Sequence, residues 1–428
     1  MRWILITMCC VVQAAFAGQV PTFKQTLHNY LHSTQWISVQ DAYRQRIAEI
    51  DKSFLTLFPT YKFSGMFGSE YRKAGEAAAT RLKTKNVTLN MTESFHFGKD
   101  YYAWKAREED RLNENIGFSD QKSEVLMAGT LLHLQGFLMN EKIKILDKRK
   151  SISDRNRKQV EIKYEQGLMS FSEKEKTLEK MDELDLEKYQ LEGAYYEVLG
   201  QYEAETGVIV SGFNKPVLTS WDRYLPKSEK VFVKKAIQFD TSVPVAQHQQ
   251  AAAKLDLMSS ESQLYPKVDL QVNSIQELGI SGADTKNSIE NVSITVSHDL
   301  FASGNDLYNL KIARAKARLA RINYLQIKRN LEESLHNQWV KYIISQKTYL
   351  YAKRKMNRMK GVIRYDQKQF EAGRLDIKDL LDSERKLAEA EQGMIDAELK
   401  YRQEQMSILS SINQLDNALA VGTGEQYD

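Results

Sequence analysis

Seven histidines are the first residues to weigh for chemistry: His28, His32, His96, His133, His248, His298 and His336. His28 and His32 stand at i, i+4, a spacing that puts two imidazoles on one helical face as in a metal pair. No glutamate of the metallohydrolase type lies between them and no third ligand accompanies them, so the pair reads as ordinary helix surface. The chain carries no Walker loop, no Rossmann glycine fingerprint and no Gly-x-Ser-x-Gly elbow. Gly65-Met66-Phe67-Gly68 sits in a strand or turn pattern, which accounts for its glycines. The only cysteines are Cys9 and Cys10, so a chain cleaved after them has neither disulfides nor thiolate metal sites. The expectation is a protein without catalytic residues, cofactor or metal, and an exported hydrolase is a poor reading.

The surrounding elements carry the information instead. The chain has 428 residues, 42% hydrophobic and 27% charged, with 21 glycines and only 6 prolines. So few breakers leave room for long helices and argue against a loop-rich all-β fold. A net charge of +4 is too small to make nucleic acid the default partner. The mean hydropathy of −0.50 rules out a helical membrane protein with many spans. Met1-Arg2, an apolar stretch from Trp3 to Ala15 and the small-x-small step Ala15-Phe16-Ala17 follow the grammar of a signal peptide, expected over 1–17.

The rest reads as two copies of one unit. Pro59 and Pro266 are 207 positions apart, Phe95 and Phe301 are 206, and Gly167 and Gly373 are again 206. Three landmarks in one register make a tandem duplication the better explanation, with repeats at 18–225 and 226–428. Each repeat opens on a helical stretch, about 22–52 and 229–262. Alternating segments follow, with strands expected at about 60–72 and 87–97, then at about 267–279 and 291–301. Val87, Leu89 and Met91 alternate with Thr88, Asn90 and Thr92, and Val292, Ile294 and Val296 with Ser293, Thr295 and Ser297. Charged or Gly/Ser-rich turns are expected at about 72–86 and 279–291.

Helical hairpins are expected at about 98–206 and 304–417. Gly98 to Gly167 and Gly304 to Gly373 each span 69 positions without a proline. As one helix that is about 100 Å, far beyond a typical globular helix. Leu131, Leu134, Leu138, Ile145 and Ile152, and likewise Leu335, Trp339, Tyr342, Tyr349 and Met356, advance in coiled-coil steps. Gly167 and Gly373 read as left-handed caps at the tips of two helical hairpins. Charge is sorted between the arms: 341–372 carries a net +7 and 173–205 a net −7. Solvated helix faces explain this most simply, and pairing with a neighbour's arms is the alternative.

Four amphipathic strands make an incomplete sheet, because an open one exposes two edges and an apolar patch. Known closed membrane barrels begin at about eight strands, so this chain reaches closure only with sister chains. A soluble sheet covering a helix is the rival reading, and with it a periplasmic coiled-coil scaffold without channel activity.

The repeated order of strands, long helix, glycine tip and returning helix resembles the TolC-type outer-membrane efflux and secretion channels. The resemblance covers nearly the whole mature chain. Its specific parts are Tyr164 to Leu168, Phe370 to Gly373, the prolines Pro59 and Pro266, and the segment Gly373-Arg374-Leu375-Asp376-Ile377-Lys378-Asp379-Leu380-Leu381-Asp382. It implies a homotrimer whose strands join in one twelve-stranded barrel in outer-membrane lipid. The helices would form a periplasmic α-barrel, with an equatorial domain built from about 207–240 and the tail after Asn417. The tips, Gly167, Leu168 and Gly373, would dock on a periplasmic adaptor, the membrane fusion protein, which joins an inner-membrane transporter of RND or ABC type. Asp379 and Asp382, one helical turn apart, resemble the family's lumen constriction; in a trimer they make two carboxylate rings that favour cations. The gate region departs from the family's pattern. Phe370 stands where a tyrosine is expected and Leu375 where an arginine is. Glu173 matches the acidic partner but lacks those donors, and Arg374, one position earlier than expected, is a candidate substitute.

Overall fold

The computed structural model describes residues 20–72, 80–96, 98–216, 221–278, 286–298 and 305–419. The signal-peptide segment, the Leu300–Gly304 landmark and most of the tail after Asn417 lie outside the described residues. The fold is mainly helical with four antiparallel strands, in the order α1 (Phe23–Leu31), α2 (Thr34–Leu55), β1 (Thr60–Arg72), β2 (Thr80–Phe95), α3 (Lys99–Glu165), α4 (Phe171–Thr206), α5 (Trp221–Tyr224), α6 (Glu229–Phe239), α7 (Ser242–Ser262), β3 (Lys267–Leu278), β4 (Lys286–Ser297), α8 (Asn305–Glu371), α9 (Ile377–Ser411) and α10 (Leu415–Leu419). The two long helices, α3 and α8, have 67 residues each.

Two expectations change. The helical stretches at 22–52 and 229–262 are each broken into two helices. At the first break the Ser33 hydroxyl accepts from the Trp36 N–H at 3.1 Å and starts α2. At the second, Pro244 sits in the first turn of α7, where its missing N–H has no intrahelical partner to lose. The strand hairpins are also tighter than expected, because β2 begins at Thr80 and β4 at Lys286. The ladder runs to Arg72↔Thr80 and Leu278↔Lys286, so the backbone groups at the ends of β1 and β3 find antiparallel partners where turns were expected.

The chain forms two compact units. One comprises 42–117 and 241–328, the other 1–41, 118–240 and 329–428. The first unit holds the sheet, in the order β1-β2-β3-β4. Registers such as Phe63↔Leu89, Met91↔Val272 and Leu270↔Ile294 align the alternating residues of all four strands, so one face is apolar and the other polar. Below the sheet, Arg107 bridges Asp256 at 3.2 Å and Asp110 at 2.6 Å, and His248 meets Glu109 at 2.6 Å. These pairs tie α7 to the start of α3.

The second unit is a helix bundle with several apolar clusters. Leu27, Leu126, Leu134, Trp221, Met406 and Leu409 form one. Tyr30, Trp36, Val198, Tyr202 and Phe213 form the next. The region 207–240 contributes α5 and α6, and Phe232 of α6 stacks on Trp339 of α8 at 5.6 Å. His133 is fully buried. The Thr26 hydroxyl lies 2.8 Å from its Nδ1, and Nε2 donates to the Asn214 carbonyl at 2.9 Å, so the neutral ring is the one accommodated. Burial drives its pKa down to about 4 against the opposing Asn214 bond. This histidine is a packing residue, not a ligand.

Candidate functional site

The two hairpin tips share one construction. At the first, the Gly167 N–H donates to Tyr164 O at 2.9 Å and the Leu168 N–H to Lys163 O at 2.9 Å. At the second, Gly373 donates to Phe370 O at 3.0 Å and Arg374 to Gln369 O at 2.8 Å. These are paired Schellman bonds, and they need the left-handed residue found at both places, with φ of +72° at Gly167 and +69° at Gly373. A side chain there would be strained although no neighbouring atom would block it. Leu168 is exposed beyond the first cap.

The returning helices are capped differently. Ser170 and Glu173 form a capping box: the Ser170 hydroxyl accepts from the Glu173 N–H at 3.2 Å, while the Glu173 carboxylate accepts from the Ser170 N–H at 3.1 Å. The Ser170 N–H, and then its hydroxyl, hold the Glu173 carboxyl below its ordinary value. Within this chain Glu173 is therefore committed to its own helix start. The Ser-x-x-Glu spelling of the box stands in the sequence. At the other tip Asp376 caps α9 through its bond from the Ile377 N–H at 2.7 Å.

The tips pack on each other. Val160, Met181 and Ile377 are buried together, with Phe370 and Leu381 against them. Lys163 reaches Asp376 at 3.6 Å and lies over the Phe370 ring at 5.7 Å. Phe370 thus works as an apolar contact, which a ring without a hydroxyl can do. Arg374 is exposed on the turn and Leu375 half-buried.

Asp379 is exposed. Asp382, on the next turn of α9, is half-exposed and lies near three cations: Arg385 at 3.5 Å, Lys180 at 3.7 Å and Lys386 at 3.8 Å. Burial pushes its carboxyl up, but the charges of Arg385, Lys180 and Lys386 outweigh this and leave it below the ordinary carboxylate value. Two positions further, Glu384 is buried, which the sequence reading passed over. Burial raises its pKa from 4.5 to about 7, against the opposing charges of Arg149 and Arg155. A carboxyl with a raised folded pKa stabilises the fold below pH 4.5 and loses that contribution as pH rises through about 7. Glu384→Gln is therefore expected to stabilise the protein at pH 8 by about 3 kcal/mol and to change little at pH 4. Thermal melting at the two pH values checks this; an equal shift at both would remove ionisation as the cause.

The acidic run of α4 finds part of its complement inside the chain. Arg157 pairs with Asp182 at 2.8 Å, Arg149 with Glu187 at 3.6 Å, and Lys150 with Asp185. His28 and His32 have ring centroids 4.1 Å apart, and no group able to hold a metal ion occurs among the described residues. No helix among the described residues is long and apolar enough to cross a membrane.

The sheet supplies the other candidate surface. Tyr61, Phe63, Phe67, Leu89, Val292, Ile294 and Val296 lie on its apolar face and are exposed, Phe67 at 74% and Ile294 at 71%. On the polar face the Ser94 hydroxyl donates to Asp269 at 2.6 Å, and Lys267 pairs with the same carboxylate at 3.0 Å. Glu93 interrupts the apolar face opposite Leu270. One of its carboxylate oxygens is shut off from water without a hydrogen-bond partner.

No curated relative matches the chain in sequence. Solved structures do match it in fold. CusC, from crystal structures described as showing conformational changes that accompany folding and transmembrane channel formation, superposes with a TM-score of 0.75 at 14% identity, over 91% of this chain and 92% of that one. The CmeC outer membrane channel of Campylobacter jejuni gives 0.75 at 11%, over 92% and 86%. The outer membrane protein VceC of Vibrio cholerae gives 0.74 at 13%, over 93% and 95%. The family model named "Outer membrane efflux protein" matches residues 232–414. Residues 232–414 are thus similar to the outer membrane efflux protein family, and the chain as a whole shares its fold with these solved outer membrane channels.

Proposed function

We infer that the chain is the outer-membrane exit duct of a tripartite efflux or type I secretion system. It acts as a passive homotrimer that docks on a periplasmic adaptor beneath it and works with an RND-type or ABC-type inner-membrane transporter. The observation that carries this reading is the sheet: four strands with an exposed apolar face, and with β1 and β4 each paired on one side only. Such a sheet leaves backbone donors and acceptors open along both edges. Three chains joined edge to edge would satisfy them and turn the apolar faces outward to lipid and the polar faces to a lumen. The long helices and the glycine-capped tips then belong to the periplasm, where Gly167, Leu168 and Gly373 present the adaptor surface and Asp379 and Asp382 the constriction. The domain order that goes with it is a signal peptide at 1–17 and efflux repeats at 18–225 and 226–428. Catalysis has no part in the reading; the energy for transport comes from the partner pump.

The test uses the full chain expressed with its own N-terminus and purified in detergent. A trimer that resists mild heating in detergent and gives stepwise conductance in planar bilayers is expected. A water-soluble monomer without conductance overturns the duct and supports the periplasmic scaffold instead.

A further inference from the structure

Where β2 runs into α3, the sheet leaves a cavity. β1 begins at Thr60, opposite Thr92, so the last three residues of β2 pair with β3 alone: Glu93 with Leu270, Ser94 with Asp269 and Phe95 with Val268. On the side that β1 leaves open, the turn at Thr56 and Leu57 and the first turn of α3 face β2 across a cavity of about 470 Å³. Its walls include Leu57, Glu93, Phe95, Tyr101 and Val268. Asp100 also lines it, but its carboxylate lies 2.9 Å from His96 Nδ1 and answers the positive end of α3. Glu93 is different. One of its oxygens is shut off from water and accepts from nothing in the chain. A buried carboxylate oxygen without a donor is costly, so a cavity that keeps one is shaped for a donor from outside. No lysine or arginine lines the cavity among the described residues.

The cavity lies at one border of the apolar face. On β2 that face runs through Phe95, Glu93, Met91, Leu89 and Val87, and Lys85 ends the apolar series. The ten residues from Phe95 to Lys85 make about 34 Å of strand. At the tilt of barrel strands that is about 26 Å of height, the apolar band of an outer-membrane barrel. Aromatic rings collect at the Phe95 border. Phe54, Phe58, Phe95 and Tyr101 are exposed there, and the Trp104 ring lies 5.4 Å from Phe54 and 5.9 Å from Tyr101 between centroids. Such rings mark the headgroup level of a bilayer. We propose that the cavity at Glu93 binds the primary ammonium headgroup of a phospholipid, phosphatidylethanolamine, from the leaflet next to the helical arms. The proposal rests on the duct reading and adds a specific lipid to it. The ammonium donates to the unpartnered Glu93 oxygen and balances its charge, while the Phe95 and Tyr101 rings add attraction for a cation. The acyl chains run up from Phe95 and Val268 along the apolar face. A choline headgroup brings the charge but no N–H donor. A glycerol headgroup brings hydroxyls but no cation, and its phosphate meets Glu93 uncompensated. The walls therefore select the amine.

The experiment adds phospholipids of one acyl composition and three headgroups (ethanolamine, choline and glycerol) to the full-length protein in detergent. Bound lipid is counted by native mass spectrometry. Wild-type protein is expected to hold phosphatidylethanolamine about tenfold more tightly than phosphatidylcholine or phosphatidylglycerol. Glu93→Gln removes the charge at nearly constant shape and is expected to abolish that preference. Leu57→Trp puts an indole into the cavity, leaves Glu93 charged, and is expected to weaken phosphatidylethanolamine by a similar factor. The oligomeric mass in the same spectra, equal for the three proteins, separates a lost lipid from a lost fold. Equal retention of all three headgroups by the wild type overturns the site, and so does an ethanolamine preference that survives Glu93→Gln. Water-soluble glycerophosphoethanolamine binding as tightly as the intact lipid overturns the membrane as the source. A wild-type chain that stays a water-soluble monomer overturns the duct reading and this site with it, whereas an assembled channel indifferent to the headgroup overturns the site alone.

Discussion

Ile294→Arg is expected to abolish membrane insertion, while Ser293→Arg, one residue away, is expected to insert normally and change the conductance. The two side chains stand on opposite faces of β4, since Ile294 opposes Leu270 and Ser293 opposes Gln271. An arginine on the lipid face of a barrel costs about 2–4 kcal/mol at the bilayer midplane. A trimer carries the change three times, so the total comes to about 6–12 kcal/mol, comparable with the whole stability of a domain. An arginine at 293 would instead add a ring of positive charge to a hydrated lumen, where its solvation cost is small and its effect falls on ion selection. Outer-membrane fractionation and planar-bilayer recording separate the two variants. Equal insertion of both would mean that the apolar face does not meet lipid, and equal failure of both would mean that β4 tolerates no charge for reasons of packing.

Much of this architecture is legible in the residues, and the places where it is not are instructive. The 206-residue offset and the proline-free spans mark out the two long helices, because no residue in them interrupts an i→i−4 ladder. The period-two segments give away the strands and their faces, because one face must be apolar for any sheet that meets lipid or a core. Strand ends were harder to read. Thr80-Arg81-Leu82-Lys83-Thr84 reads as a polar turn, yet it pairs with β1 as far as Arg72, since the ladder depends on backbone groups that composition does not report. The helix breaks near 33 and 241 escaped for the opposite reason: each rests on one local bond or one proline. At the tips, the glycine caps are visible because only a residue free of Cβ strain turns left-handed there at little cost. The burial of Glu384 is not visible, because it depends on how α9 sits against α3. Gly136 is similar. A Cβ there would come within 2.3 Å of the Phe213 ring, a contact 77 residues away in sequence that no helical pattern foretells.

The carboxylates proposed for the constriction are expected to contribute unequally. Asp382 has Arg385, Lys180 and Lys386 within 4.0 Å, so much of its charge is already compensated inside the chain. Asp379 is exposed one turn nearer the tip. If both face the lumen of a trimer, the ring made by Asp379 acts on a passing ion with nearly its full charge, and the ring made by Asp382 with a fraction of it. Asp379→Asn is therefore expected to lower the cation-over-anion permeability ratio about threefold, and Asp382→Asn to lower it much less. Lys180→Gln is expected to move the ratio the other way, by uncovering Asp382, and to lose most of that gain when Asp382 is already Asn. Reversal potentials across a salt gradient in planar bilayers measure all four variants. A larger effect from Asp382 than from Asp379 would mean that a neighbouring chain draws Lys180 away in the assembled channel, and no effect from either would place the constriction elsewhere on the arms.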